Sequence, residues 1–393
     1  GDGFNQPVPT NPTAALQNVN FINPDFEQPS VWKANLAIEH ELPWYGIVGS
    51  AELLLSKVNN ALFYRNLNLG APTLQGQDGR DIFFGAAGLN RPWSSGNNRF
   101  NRNRSFDSVL LLDNTNEGET QQFTVGLTKP WTLDSDWSWS LNYTYTNATE
   151  VSGLTSSTAT SGWNYNYLFN ANEEVASRSR YEIKDRFLGT LNWKHNFFGD
   201  NKTEIGLVYE GRTGRPFSYV YFNDVNGDNR SANDLFYVPS GPGDVLFGTL
   251  SSGGVFTANP AMETAFFDWL GDNPDLNRFR GSTVPQNSGR AAWVNTFDVR
   301  LSQELPGFFK GHKSEITLDI QNVGNLLNSD WGQIYDYGFF ATQRVASATG
   351  IYNGKYVYNF TNPDAPTVAN SDADGFNVGV SQWSVQLGFK YKF

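Results

Sequence analysis

From residue 381 to residue 393, polar and apolar side chains alternate without a slip. Trp383, Val385, Leu387, Phe389, Tyr391 and Phe393 are apolar, and Gln382, Ser384, Gln386, Gly388, Lys390 and Lys392 lie between them. A period of two puts the two sets on opposite faces of one strand. One face suits hydrocarbon and the other suits water. A soluble sandwich strand alternates in the same way, but its last inward residue is rarely a terminal aromatic. The pattern predicts the closing strand of a transmembrane β-barrel.

The alternation recurs upstream. Residues 31–41 set Trp32, Ala34, Leu36 and Ile38 against Lys33, Asn35, Ala37 and Glu39. Residues 137–146 set Trp137, Trp139, Leu141, Tyr143 and Tyr145 against Ser138, Ser140, Asn142, Thr144 and Thr146. Roughly ten residues, tilted by about 45°, cross the apolar band of a membrane. Further strands are expected over 47–65, 106–129, 180–195, 202–221, 292–303, 314–325 and 381–393. Residues 106–129 are read as one bulged strand despite the turn-like Asn114, Asn116 and Gly118, with Val109, Leu111, Phe123, Val125 and Leu127 outward. Short turns alternate with long loops over 66–104, 147–179, 222–291 and 326–379, as outer-membrane barrels require. Within the long loops, 262–270 reads as a short amphipathic helix and Asn353-Gly354 as a hairpin turn. The fold class is all-β, an antiparallel transmembrane barrel in which residues 31–393 supply nine or ten strands. Residues 1–30 are expected to be an extracellular loop segment, so that the chain is the C-terminal portion of a larger barrel.

Composition agrees. No apolar run reaches the length of a membrane-crossing helix, and the mean hydropathy is negative. A barrel passes that test because only every second strand residue meets lipid. The chain has 12 Trp, 17 Tyr and 30 Phe, clustered at strand positions and strand ends as in interfacial girdles. Cysteine is absent, which rules out disulfides and thiol chemistry. A net charge of −11 argues against nucleic acid as a partner.

The candidate site is a cation loop. Asp224, Asn226 and Asp228 place side-chain oxygens at alternate positions, as in the first half of an EF-hand, and Asp234 could add a carboxylate. Asn229 stands where such a loop carries Gly, and Leu235 where it carries its last Glu. The plain alternative is an Asp/Asn/Gly turn. The cofactor expected here is Ca2+. Asp372 and Asp374 form a weaker second candidate. His40, His195 and His312 sit beside short turns with no metal-ligand spacing. Lys33, Glu39, Glu204, Glu210, Asp298, Arg300, Glu315 and Asp319 should point into the lumen. Trp163, Tyr165, Tyr167, Phe169, Phe266, Phe267 and Trp269 could stack on a ligand such as a glycan or pack the loops together. No nucleophile or acid–base constellation is visible, so no enzymatic activity is expected.

Several segments resemble TonB-dependent outer-membrane receptors of the Oar-like type: QPSVWKANLAIEH at 28–40 with Leu42-Pro43, LDNTN at 112–116, YEIKDRF at 181–187, GRTGRPFS at 211–218 and DIQNVGNLLN at 319–328. The terminal Phe393 also resembles the signal by which bacterial outer-membrane proteins are recognised for insertion. The resemblance implies a 22-stranded barrel with an N-terminal plug, driven by the TonB complex, in the bacterial outer membrane. Plug, TonB-contacting segment and the first part of the barrel have no counterpart here, so they are expected on another chain or segment. Partners would then be the lipid bilayer, lipopolysaccharide, that remaining portion and, through it, TonB. The function implied is substrate binding or uptake. A passive or structural barrel without TonB coupling, and a secreted β-rich adhesin, are the other classes open.

Overall fold

The computed structural model describes residues 16–85, 93, 99–154, 156–361, 363, 367–368 and 380–393. Its principal sheet contains β1 (Gln17–Ile22), β2 (Ser30–Glu41), β3 (Val48–Asn66), β4 (Phe106–Thr115), β5 (Gly118–Lys129), β6 (Trp137–Glu150), β7 (Asp185–Phe198), β8 (Asn201–Arg212), β9 (Val294–Pro306), β10 (Lys313–Gln321) and β11 (Ser384–Lys392). β2, β3 and β5 to β11 neighbour one another in chain order, and every pairing among these nine is antiparallel. Tight turns join alternate pairs. At 42–46 the Leu42 N–H reaches the Ile47 carbonyl at 2.7 Å, with Tyr45 and Gly46 both at positive φ.

The interrupted strand over 106–129 keeps its register. Lys57 of β3 faces Glu119 in β5, and Ala61 faces Thr115 in β4, four residues further along each strand. β4 and β5 are thus one line of backbone with a break, as expected, and β3 outruns the other strands to pair with both. Among the described residues the sheet is open, since β2 pairs only with β3 and β11 only with β10. Two expectations need correction. The sheet is mixed, because β1 lies parallel to β4 where a loop segment was expected. Two strands also end early. β8 stops at Arg212, and Pro216–Val220 joins a separate sheet with Gly289–Arg290 and Thr342–Arg344. Gly214 marks the break, since a Cβ there would lie 2.3 Å from the Ala291 carbonyl oxygen. β10 stops at Gln321, where Asn322 adopts the left-handed conformation and opens a short helix, Val323–Leu327.

Register aligns the outward side chains into rows. Leu36 faces Leu53, Leu53 faces Phe123, and Phe123 faces Tyr145. At the other end Leu301 faces Leu318, which faces Leu387. Most side chains on this face are exposed, among them Trp32 and Leu36 at 73%, Phe389 at 66% and Leu387 at 75%. A continuous apolar face of this kind is far larger than the patches that soluble monomers tolerate. No helix among the described residues is long and apolar enough to cross a membrane.

The buried core lies elsewhere, in the loops. Ile82, Tyr167, Phe217, Tyr221, Phe236, Phe247, Phe266 and Tyr358 pack into one cluster. The helix Pro260–Gly271 covers it with Phe266 and Leu270; Asn259 caps its first turn by accepting from the Met262 N–H, and Pro260 begins it. The hairpin at Asn353-Gly354 forms as expected, with both residues at positive φ. The molecule therefore exposes apolar side chains along its strands and buries them in its connections, the reverse of a soluble sandwich.

Candidate functional site

The face of the sheet opposite the apolar rows is hydrated and paired by charge. Arg186 meets Glu210 at 2.7 Å, Arg300 meets Asp319 at 3.2 Å, and Lys392 meets Glu315 at 3.8 Å, each across adjacent strands. Asn35 donates to Glu52 at 2.7 Å, and Asp298 accepts from the Asn322 N–H at 2.7 Å. Lys33, Glu39 and Glu204 fall on the same face by register, opposite Ser56, Ser50 and Ser302. The eight expected lumen charges therefore share one side. A concavity of about 480 Å³ on the outward side is lined by Ile38, Leu127, Leu141 and Phe187. Its lining is mainly apolar.

Arg80 anchors the loop core, and sequence reasoning missed it. Its side chain is fully buried between the rings of Phe169 and Tyr221, 5.4 and 5.5 Å from their centroids. It pairs with Asp78 at 3.3 Å and Asp234 at 3.1 Å, and donates to the Leu235 carbonyl. Burial alone would lower its pKa, but Asp78 and Asp234 raise it instead. The Tyr221 and Tyr358 hydroxyls meet at 2.6 Å, and Tyr358 donates on to the Tyr237 carbonyl at 2.9 Å. The Tyr356 hydroxyl, 2.7 Å from Asp78, tethers the 347–359 hairpin to the same core.

Asp224, Asn226, Asp228 and Asp234 do come together, all buried in one loop. Asp224 accepts from the Gly227 N–H at 2.6 Å and from the Asn229 N–H at 2.9 Å. Asn226 accepts from the Asp228 N–H at 2.8 Å. Asp228 accepts from the Arg230 N–H at 2.8 Å and from Asn233 Nδ2 at 2.9 Å. Asp234 accepts from the Val225 N–H at 2.8 Å, and its other oxygen takes Arg80. Gly227, at positive φ, lets the loop approach the Phe84 backbone, where a Cβ would sit 3.0 Å from the Phe84 nitrogen. Burial, then Asp228 and Asp234, push the Asp224 carboxyl well above the usual carboxylate range. Burial and the neighbouring Asp234 push Asp228 up to about 7. Burial also raises Asp234, although Arg80 pulls the other way. Among the described residues no three carboxylate or imidazole side chains are set to hold a metal ion. The cation facing Asp234 is a guanidinium from a distant loop. Asp372 and Asp374 lie outside the described residues.

The histidines serve their turns: His195 Nδ1 lies 2.8 Å from Asp136, and His312 Nδ1 lies 2.8 Å from the Tyr391 hydroxyl. The loop aromatics pack. Phe266 is buried against Phe236, Phe247 and Phe360; Tyr165 stacks on Phe340 at 4.0 Å; the Trp163 Nε1–H donates to Asn172 at 3.0 Å. At the loop end of the hydrated face lies a cavity of about 470 Å³, lined among others by Arg180, Arg212, Arg215, Val294, Tyr335 and Asp336.

Residues 2–331 match the family described as outer membrane beta barrel domain. Among solved structures, the outer membrane transporter YddB from Escherichia coli is similar with a TM-score of 0.39 and 9% identity, over 88% of this chain and 33% of that chain. The chain thus spans about a third of that transporter's length. No curated protein matches the sequence. Strands with a lipid-compatible face, a charged opposite face and a packed loop layer agree with the family match, which covers most of the sequence. The chain belongs to the outer membrane β-barrel domain family, and its place is the bacterial outer membrane.

Proposed function

We propose that this chain is a barrel segment of a TonB-dependent, Oar-like receptor that binds or takes up a substrate across the outer membrane. The observation that carries the reading is the division of one sheet into an exposed apolar face and an ion-paired hydrated face. Such a sheet separates hydrocarbon from a wet passage, and the loop layer at one end makes first contact with what enters. In this reading β2 and β11 pair with further strands of a 22-stranded barrel around a plug. The outward rows meet lipid and lipopolysaccharide, and TonB acts through the plug. The same reading includes a calcium ion beside Asp228. Asn233 Oδ1, which is buried without a hydrogen-bond partner, and Asp228 both belong to residues lining a cavity of about 10 Å³, room for a single ion or water.

The test is cross-linking in living cells, followed by purification of the tagged protein from outer membranes. A plug-bearing segment and TonB are expected in the cross-linked product. A protein that purifies without either, and holds a steady open conductance in planar bilayers, would be a passive barrel.

A further inference from the structure

We infer that the cavity at the loop end of the hydrated face is a subsite for the anionic group, carboxylate or phosphate, of a small ligand. The inference rests on the uptake reading and names the class of compound taken up. The position is set by the strands: Arg212 closes β8 on the face that carries Glu210, and Val294 opens β9 directly opposite it. The cavity therefore lies where the strands give way to the loop layer.

Two of the cavity's guanidiniums are held only by long contacts, and the third keeps one buried nitrogen without an acceptor. Arg180 is 4% exposed; one of its nitrogens donates to the Phe340 carbonyl at 2.6 Å, while Nε is buried without a hydrogen-bond partner. Among the described residues Arg212 reaches Glu210, at 3.6 Å, and Glu210 is already held by Arg186 at 2.7 Å. Arg215 meets Asp336 at 3.4 Å and the Gly338 and Phe339 carbonyls at 3.5 and 3.4 Å, all long contacts, and the other Asp336 oxygen is buried without a partner. Glu182 also borders the cavity, but Arg178, Arg290 and the Ala148 N–H already occupy its carboxylate. A buried donor left without an acceptor keeps its desolvation cost unrepaid. A carboxylate or phosphate, which accepts from guanidinium in paired, planar fashion, would satisfy these groups together. Val294, Pro216 and Ile334 offer an apolar floor, and Tyr335 a ring, for the uncharged part. The volume falls in the range that holds small organic ligands.

Saturation-transfer NMR on the chain in detergent micelles tests this with three probes of one ring size: phenylphosphate, benzoate and benzylamine. The expected result is transfer to one or both anions and little to the amine, with the stronger anion showing which acid group the subsite prefers. The Arg212→Gln/Arg215→Gln double variant should weaken anion binding at least tenfold. Asp336→Asn, which releases Arg215, should strengthen it several-fold, so the test does not depend on a loss alone. Heat-modifiable gel migration checks that each variant is folded. Equal transfer to benzylamine, or folded variants with unchanged affinity, would overturn the subsite. Either result would leave the cross-linking outcome untouched, so this inference and the uptake reading fail separately.

Discussion

Arg80 Nη1 lies 3.1 Å from Asp234 Oδ1, and both side chains are buried although 154 residues separate them in the chain. The pair ties the 74–82 hairpin to the Asp/Asn loop, and Asp78 with Tyr356 extends the tie to the 347–359 hairpin. Three long connections thereby share one charge centre.

Removing that cation should therefore loosen several loops together. Arg80→Met leaves Asp78 and Asp234 buried without their counter-charge, a loss of about 3–5 kcal/mol. Limited proteolysis should show the loops around 74–82, 222–240 and 347–359 opening, while the strands stay protected. Cleavage confined to one loop would contradict a shared centre.

The membrane-facing rows make a separate prediction. Leu141→Arg or Leu387→Arg puts a charge on the exposed apolar face, and should cost about 2–4 kcal/mol near mid-bilayer. Refolding titrations into lipid vesicles read this directly. A cost near zero at both positions would mean that the rows do not face hydrocarbon.

Calcium at the Asp228 loop can be tested through Trp163, which borders the same small cavity as Asp228 and Asn233. Terbium added to the chain should emit when tryptophan is excited, and calcium should displace it. Asp228→Asn should abolish the emission, and chelator should raise protease sensitivity across 222–240. Absence of sensitised emission, with digestion unchanged by chelator, would leave the loop's carboxylates to arginine side chains such as Arg80 and Arg230.

Acid should act through Asp244. Burial pushes its carboxyl up, but the Ser240 N–H at 2.7 Å and the Tyr237 hydroxyl at 2.9 Å outweigh that and hold it below the ordinary value of 3.8. A folded-state pKa below the unfolded one stabilises above the unfolded value, and that part is lost as pH falls through the folded value. Protease resistance of the 237–244 segment should therefore fall as pH drops below about 3.8. Asp244→Asn should be weaker at neutral pH and flatter across that window. An identical acid profile in both proteins would remove Asp244 from the linkage.

Much of the strand layer was legible from residue order. The alternation of Trp383 to Tyr391 and of Trp137 to Tyr145 specifies which side chains share a face, because a strand's period is local and needs no partner. That 106–129 forms one line was expected from the alternation of short and long connections, which a further strand there would break. Strand ends were less legible: Arg212 and Gln321 stop β8 and β10 where Gly214 meets the Ala291 backbone and Asn322 turns left-handed. The four residues of the expected cation loop do meet, since they lie close in sequence.

What residue order determined by itself is thus the pair of faces: hydrocarbon on one side, water on the other, written at every second position. Only the tertiary structure decided what the loops do. It brought Arg80 to Asp234, turned Phe266 and Tyr358 into a core, and left three arginines around one cavity. Those contacts join segments far apart in the chain. Their energy comes from burial and charge pairing that no local pattern encodes.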